Sequence, residues 1–425
     1  MQRIARRAQP RGGAGDGAAV QQFFRRALCG SRQQELFAKP DTDALRALRG
    51  IVLCVGALCV YKYAALLASV FGVTITPPGA PAGVSFFTFL AVSYLVDVAR
   101  GACAAERNPA KLALYFTAFP KFLQGPLTRY GALQADLFPA RPGWDTAARG
   151  AERVCVGLGK KLLLATAAQG AAEKLLDTSA VSCPAAWLGA ACYALQIYFD
   201  FSGYTDMAIG LGTLFGLNLP ENFNDPYCAQ SITDFWRRWH MTLSQWFRDY
   251  IYIPLGGSRR GKPRQIVNLL IVWALTGLWH GASWNFALWG LYFAALLIAE
   301  KFVLAKVLDR LPAFFRHIYA LFFILLGWVL FRTEDFSQLA ALLRTLFTGG
   351  TAVTAEPFVF VLRQYGIELL LGALLCTPLG KRLLEALDRT RFGRMVKYVL
   401  LLAIFALALL ALVRSGVNAF IYAQF

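Results

Sequence analysis

The chain has 425 residues, of which 57% are hydrophobic and only 16% charged, with a mean hydropathy of +0.47. A soluble chain of this length would form two or three domains and carry about 25% charged residues, so the composition excludes an ordinary water-soluble protein and implies solvation largely by lipid. Lys and Arg number 43 against 25 Asp and Glu, a formal charge of +18, yet they sit mainly in the first fifty residues and in short connections between apolar runs; that distribution argues against nucleic acid as a partner and matches what membrane topology requires.

Residues 1–50 contain ten Lys or Arg against four Asp or Glu and show no apolar periodicity. They predict a basic tail, disordered or surface-bound, ahead of a membrane-embedded domain over 51–425. No apolar core of the kind a secretory signal needs precedes Ile51. The nine cysteines include no Cys-x-x-Cys pair and no spacing with His suited to a metal, so neither zinc nor a disulfide framework is expected.

The first span is predicted over 51–71, long enough to cross roughly 30 Å of hydrocarbon. Residues 85–99 and 112–123 are too short for ordinary spans and read as re-entrant or tilted helices packed inside the protein. Residues 154–168 are helical in pattern and carry Lys160 and Lys161, which would have to snorkel to an interface. Apolar runs at 187–198 and 207–217 flank the segment FDFSGYTD, where Asp200, Ser202, Tyr204 and Asp206 fall within seven residues. One carboxylate at mid-bilayer costs on the order of 3 kcal/mol, so two imply a polar cavity or a break in the helix. After the prolines of LNLPENFNDPY come an aromatic, Arg-rich segment ending in YIPLGG, the basic connection SRRGKPRQ and the apolar run 266–282. Further spans are expected over 284–303, 314–331, 358–376 and 395–413, with an interfacial amphipathic helix over 338–347. The fold class is all-α: a polytopic membrane protein of about eight to ten membrane helices with re-entrant and interfacial pieces.

Of the three histidines, two fall in the stretch 231–290. In helical spacing Trp236, His240, Leu243 and Phe247 share one face. Such a helix could lie at the membrane surface or line a cavity inside a bundle. His280 ends an uncharged run and is flanked by Trp279, Gly281 and Trp284. It reads either as a structural histidine bonded to a backbone carbonyl or as a general base, since burial favours the neutral imidazole. No nucleophile elbow, P-loop, His-Glu-x-x-His or dinucleotide fingerprint accompanies them.

Four blocks together, FPKFLQGPLTRY (119–130), QIYFDFSGYTDMAIG (196–210), NFNDPYCAQSITDFWRRWHMTLSQWFRDYIYIPLGGSRRG (222–261) and LTGLWHGASWNFALWG (275–290), resemble the membrane-bound O-acyltransferase family. The branch most similar is that of the alginate O-acetyltransferase membrane subunit. This resemblance implies a ring of tilted helices around a central tunnel in a multi-pass protein of the bacterial cytoplasmic membrane. It implies acetyl-CoA as a co-substrate, with no bound cofactor and no metal. His280 matches the family's catalytic histidine and His240 the second histidine of this branch; the first would deprotonate an acceptor hydroxyl and the second would stabilise the oxyanion. Trp236, Trp239, Trp279, Trp284, Asn285, Asp200, Ser202 and Tyr204 are candidates to line or support the tunnel. Arg259, Arg260 and Lys262 are candidates for the CoA phosphates. The implied partners are membrane lipid, an extracytoplasmic SGNH-type acetyltransferase and a polysaccharide acceptor, alginate-like or peptidoglycan. Two other readings stay open: a transporter or flippase using Asp200 and Asp206, and a scaffold that recruits an outside acetyltransferase.

Overall fold

The computed structural model describes residues 42–415, apart from residues 77, 122, 138–141, 178–180 and 350–355. The expected basic tail falls outside the described residues up to residue 41; its last residues already belong to a helix that starts at Thr42. Among the described residues every regular element is helical.

Helix α1 runs Thr42–Leu58, through a π turn Cys59–Tyr63, to Ala64–Val70. Helix α2 is Val84–Ala99 and α3 is Pro109–Thr117, capped by the Asn108 side chain, which accepts from the backbone N–H of Ala110 and Lys111. Pro120 ends that segment in a single 3₁₀ turn, Phe119–Lys121, so the run 112–123 is broken as its sequence predicts. After the short α4 (Tyr130–Leu133) comes α5, which is Trp144–Gly159, a π turn Lys160–Ala165 and Thr166–Leu176. Helix α6 spans Cys183–Leu214, 32 residues without interruption.

The continuity of α6 corrects the expected break or polar cavity at FDFSGYTD. Lys161 pairs with Asp200, and Lys160 and Arg153 pair with Asp206 at 2.7 and 2.9 Å. The lysines of α5 therefore turn inward to the carboxylates of α6 instead of snorkelling. Glycines permit the close approach that this needs: a Cβ on Gly157 would stand 2.6 Å from the Gly203 carbonyl oxygen, and one on Gly150 2.8 Å from that of Gly210. Charge is tolerated inside because each carboxylate has a cation held against it.

Helices α7 (Ile232–Arg238) and α8 (Met241–Phe247, then a π turn Arg248–Tyr252) are short and separate. A run of turns leads to α9, Lys262–His280, and a tight reversal to α10, which is Trp284–Ala299, a π turn Glu300–Leu304 and Ala305–Arg310. Helices α9 and α10 meet backbone to backbone, since a Cβ on Gly277 or Gly290 would lie 2.2 Å from the carbonyl oxygen of Phe286 or Trp273. The described residues close with α11 (Ala313–Arg332), α12 (Phe336–Thr348), α13 (Glu356–Leu375), α14 (Leu379–Asp388) and α15 (Arg391–Ser415).

By length and apolar composition, four helices among the described residues can cross a membrane: residues Ala44–Val70 within α1, then α11, α13 and α15. Outward side chains such as Ile367 (75% exposed) and Leu402 (68%) suit contact with lipid. Inside lie two apolar clusters. One joins α5, α6, α7, α10 and α11 around Trp239, Trp289 and Trp328; the other joins α2, α3, α8 and the end of α9 around Phe89, Trp246 and Trp279.

Candidate active site

His240 and His280 both lie at the seam between these clusters, 2% and 4% exposed. Trp279 links them: its ring centroid is 5.8 Å from that of His240 and 4.6 Å from that of His280. Phe201 of α6 stands edge-on to His240 at 4.8 Å, while Trp289 and Phe331 stand edge-on to His280 at 4.9 and 5.0 Å. His280 lies within electrostatic reach of His240 and of Lys62.

His240 is not on the face of a continuous helix, as its spacing predicts. The helix stops at Arg238, Trp239 is extended, and His240 takes the left-handed conformation (φ 43°, ψ 53°) as the residue before α8. A non-glycine residue there is uncommon and is held by its surroundings. Two backbone bonds hold it: Asn224 N–H donates to the Arg238 carbonyl and Met241 N–H to the Asn222 carbonyl, each at 3.0 Å. The loop 222–224 thus straps the break between α7 and α8. From the other side, Glu300 of α10 accepts from the N–H of Ile232 and Thr233 and from the Thr233 hydroxyl, completing the N-terminus of α7 that Ser231 also caps.

Asn222 orients the imidazole. Its side chain is 1% exposed. Oδ1 accepts from Thr242 N–H at 3.2 Å and from the Thr242 hydroxyl at 2.9 Å, and lies 3.1 Å from His240 Nδ1. The Thr242 hydroxyl meanwhile accepts from Leu127 N–H at 3.1 Å. His240 Nε2 and Asn222 Nδ2 are buried with no hydrogen-bond partner among the described residues, as is the Trp279 indole N–H. Buried polar atoms are ordinarily satisfied, so these three orphans, one of them on the imidazole itself, make this the candidate place for a polar ligand group.

His280 is held differently, as the last residue of α9. The orphan carbonyls of that helix end meet α1: the Lys62 ammonium donates to the Trp279 carbonyl and the Tyr63 hydroxyl donates to that of Leu278 at 2.8 Å. A cation at a helix C-terminus faces the negative end of its dipole. Asn285, fully buried, donates from Nδ2 to the Phe331 carbonyl at 3.3 Å and so fixes the aromatic wall beside His280.

The remaining predicted residues are placed as follows. Trp236 packs against Trp273, Trp289 and Phe293, one layer behind His280. Trp239 packs against Phe223 and Trp328, one layer behind His240. Trp284 is 56% exposed, outside the aromatic packing around the histidines. Asp200 is ion-paired with Lys161, Ser202 is buried on the same helix as Phe201, and Tyr204 bonds the backbone at Leu123 and Gln124. Asp200 and Asp206 are both engaged by cations of α5, which speaks against their use as a transport site. Arg259 and Arg260 are exposed in the turn before α9 and Lys262 is exposed as its first residue, about 27 Å from His280 at the helical rise.

Sequence reasoning did not single out Lys62, Glu300 or Asn222. Lys62 was findable, being the one Lys, Arg, Asp or Glu in the apolar run 51–71, where such residues are rare without a role; Glu300 sits beside Lys301 and reads as the charged end of its run. Asn222 carried no comparable signal, because it lies in a polar loop.

Residues 87–332 match the model of the membrane-bound O-acyltransferase family. The chain is 38% identical over 312 residues to the probable alginate O-acetylase AlgI of Azotobacter vinelandii, covering 71% of this chain and 62% of that relative. It is 33% identical over 302 residues to the peptidoglycan O-acetyltransferase of Helicobacter pylori, covering 62% and 56%. To the teichoic acid D-alanyltransferase of Bacillus subtilis it is 30% identical over 237 residues, covering 52% and 58%. The chain thus spans somewhat over half the length of these curated relatives. The family match takes in the aromatic seam, Asn222 and both buried histidines, and the chain belongs to the membrane-bound O-acyltransferase family.

Proposed function

We propose that the protein is an O-acetyltransferase of the bacterial cytoplasmic membrane that moves an acetyl group from cytoplasmic acetyl-CoA toward hydroxyls of an extracytoplasmic polysaccharide. The observation that carries this reading is the pair of buried imidazoles, His240 and His280, joined through Trp279 inside a membrane-embedded helical body. Chain similarity to relatives named for O-acetylation supports the acyl group and a hydroxyl acceptor. Among those acceptors, alginate-like polymer is favoured by the higher identity of the AlgI relatives, 38% and 39% against 33% for the peptidoglycan enzyme. Transfer either ends on the polymer directly or passes through an SGNH-type protein outside the membrane.

The chemistry requires a base for the hydroxyl proton, attack of that oxygen on the thioester carbonyl, and departure of CoA as a thiolate that recovers a proton. Neutral imidazoles shielded from water are suited to the first and last of these. The exposed cations Arg259, Arg260 and Lys262 are suited to the CoA phosphates, being at the far end of the helix that carries His280. His280→Ala is expected to abolish acetyl transfer from labelled acetyl-CoA in a membrane fraction while the protein still accumulates. Transfer at the wild-type rate would sink the proposal, and so would intact O-acetylation after replacement of both histidines.

A further inference from the structure

His240 can act in two chemically opposite ways. With Nε2–H it would donate to an oxyanion, the role implied by the family resemblance; with a bare Nε2 it would accept a proton. The choice is made at the other nitrogen, because a neutral imidazole carries one N–H.

Asn222 makes that choice. Thr242 contributes a backbone N–H, which can only donate, 3.2 Å from the Asn222 side-chain atom that faces it. That atom must therefore be the carbonyl oxygen and not the amide nitrogen. The Thr242 hydroxyl is occupied as an acceptor by Leu127 N–H, which leaves its own proton for the same oxygen at 2.9 Å. An oxygen in that position accepts from His240 Nδ1, at 3.1 Å, only if Nδ1 carries the proton. Nε2 then bears a lone pair, and it is the ring atom left buried with no partner among the described residues.

We propose that Asn222 is the positioning residue that holds His240 as its Nδ1–H tautomer, so that His240 meets substrate through the Nε2 lone pair, as an acceptor and not as a donor. This rests on the acetyl-transfer reading above. In that reaction the acceptor's O–H proton passes to a neutral imidazole of the pair His240 and His280 as its oxygen bonds to the acetyl carbon; the C–S bond then breaks, and the proton is returned from that imidazole to the departing thiolate. The oxyanion is left to groups other than neutral His240. Thr242 is the second member of the device, since it fixes which end of the Asn222 amide faces the ring.

The chain has only three histidines, so its ring nitrogens can be assigned by single substitutions. The test is nitrogen NMR of the full chain, labelled with ¹⁵N-histidine, in proteoliposomes at neutral pH without substrate. His240 is expected to show a protonated Nδ1 and a bare Nε2, to keep that pattern in Asn222→Asp, and to lose it in Asn222→Ala. A protonated Nε2 in the unsubstituted protein overturns the proposal, as does an unchanged tautomer in Asn222→Ala. Because this readout needs no turnover, it stands apart from the acetyl-transfer reading, which the His280→Ala comparison tests separately. Kinetics with acetyl-CoA and polymannuronate add a second arm: Asn222→Ala lowers kcat on the order of 10²-fold, with KM for acetyl-CoA unchanged. A merely structural role would lower the amount of folded protein instead and leave the kcat of what remains intact.

Discussion

Lys62 donates its ammonium to the main-chain carbonyl of Trp279, the residue that immediately precedes His280. With Tyr63 on the Leu278 carbonyl at 2.8 Å, α1 supplies the C-terminal partners that α9 lacks of its own. Helix α1 is otherwise an apolar span with many side chains turned outward, such as Leu53 at 73% exposed and Leu67 at 56%. Its one lysine therefore ties a lipid-facing helix to the residue expected to do chemistry. The π turn Cys59–Tyr63 brings Lys62 and Tyr63 to that helix end together.

Replacing Lys62 with Met removes this tie while keeping the length and apolar character of the stem. A charge-assisted hydrogen bond of this kind is worth about 1.5–3 kcal/mol. The expected result is a lower melting temperature in detergent and a drop of about tenfold in kcat, with KM for acetyl-CoA little changed, because the damage is to the placing of His280. Wild-type kcat in the Met variant would show that α1 is only packing.

The Lys161–Asp200 pair makes a different prediction, because both side chains are buried, at 8% and 3% exposure. Asp200→Asn leaves an uncompensated ammonium between α5 and α6 and is expected to destabilise by about 3–5 kcal/mol. The double variant Lys161→Met with Asp200→Leu removes both charges and is expected to recover most of that loss. Thermal melting of the three detergent-solubilised variants measures it. If Asp200 instead served ion or substrate transport, Asp200→Asn would melt like the wild type and the double variant would recover nothing.

These pairs show why the sequence was informative about some parts and not others. Membrane class, the apolar helices and the two histidines follow from composition and local pattern, which act over a few residues. The course of α6 did not follow, because two carboxylates in a helix look like a break until the cations of another helix are placed against them. Nor did the helix break at His240, where the pattern of Trp236, His240, Leu243 and Phe247 suits an uninterrupted helix. That break is set by the strap from residues 222–224, while the start of the helix before it is held by Glu300, 60 positions beyond His240, reaching the N–H groups of Ile232 and Thr233. Contacts of such sequence separation leave no periodicity to read.

The basic turn before α9 bears on how the donor is held. Arg259, Arg260 and Lys262 are all exposed, and Gly256, Gly257 and Gly261 hold the surrounding backbone at φ of 106°, 55° and 83°, where glycine is favoured. Asn268, fully buried, donates to the carbonyl of Gly257 at 3.0 Å and anchors the turn to the helix that ends at His280. On the proposed acetyl-CoA reading, cations on so fixed a turn engage the phosphates without first ordering a loop, with the reacting thioester assigned to the other end of α9. Replacing all three with Ala is therefore expected to raise KM for acetyl-CoA about tenfold and leave kcat unaltered, since exposed charges attract the donor but do not touch the reacting atoms. Added salt should raise the wild-type KM toward that of the variant, because screening acts on the same attraction. An unchanged KM with an unchanged salt response would remove the turn from the donor site and leave its cations to lipid headgroups.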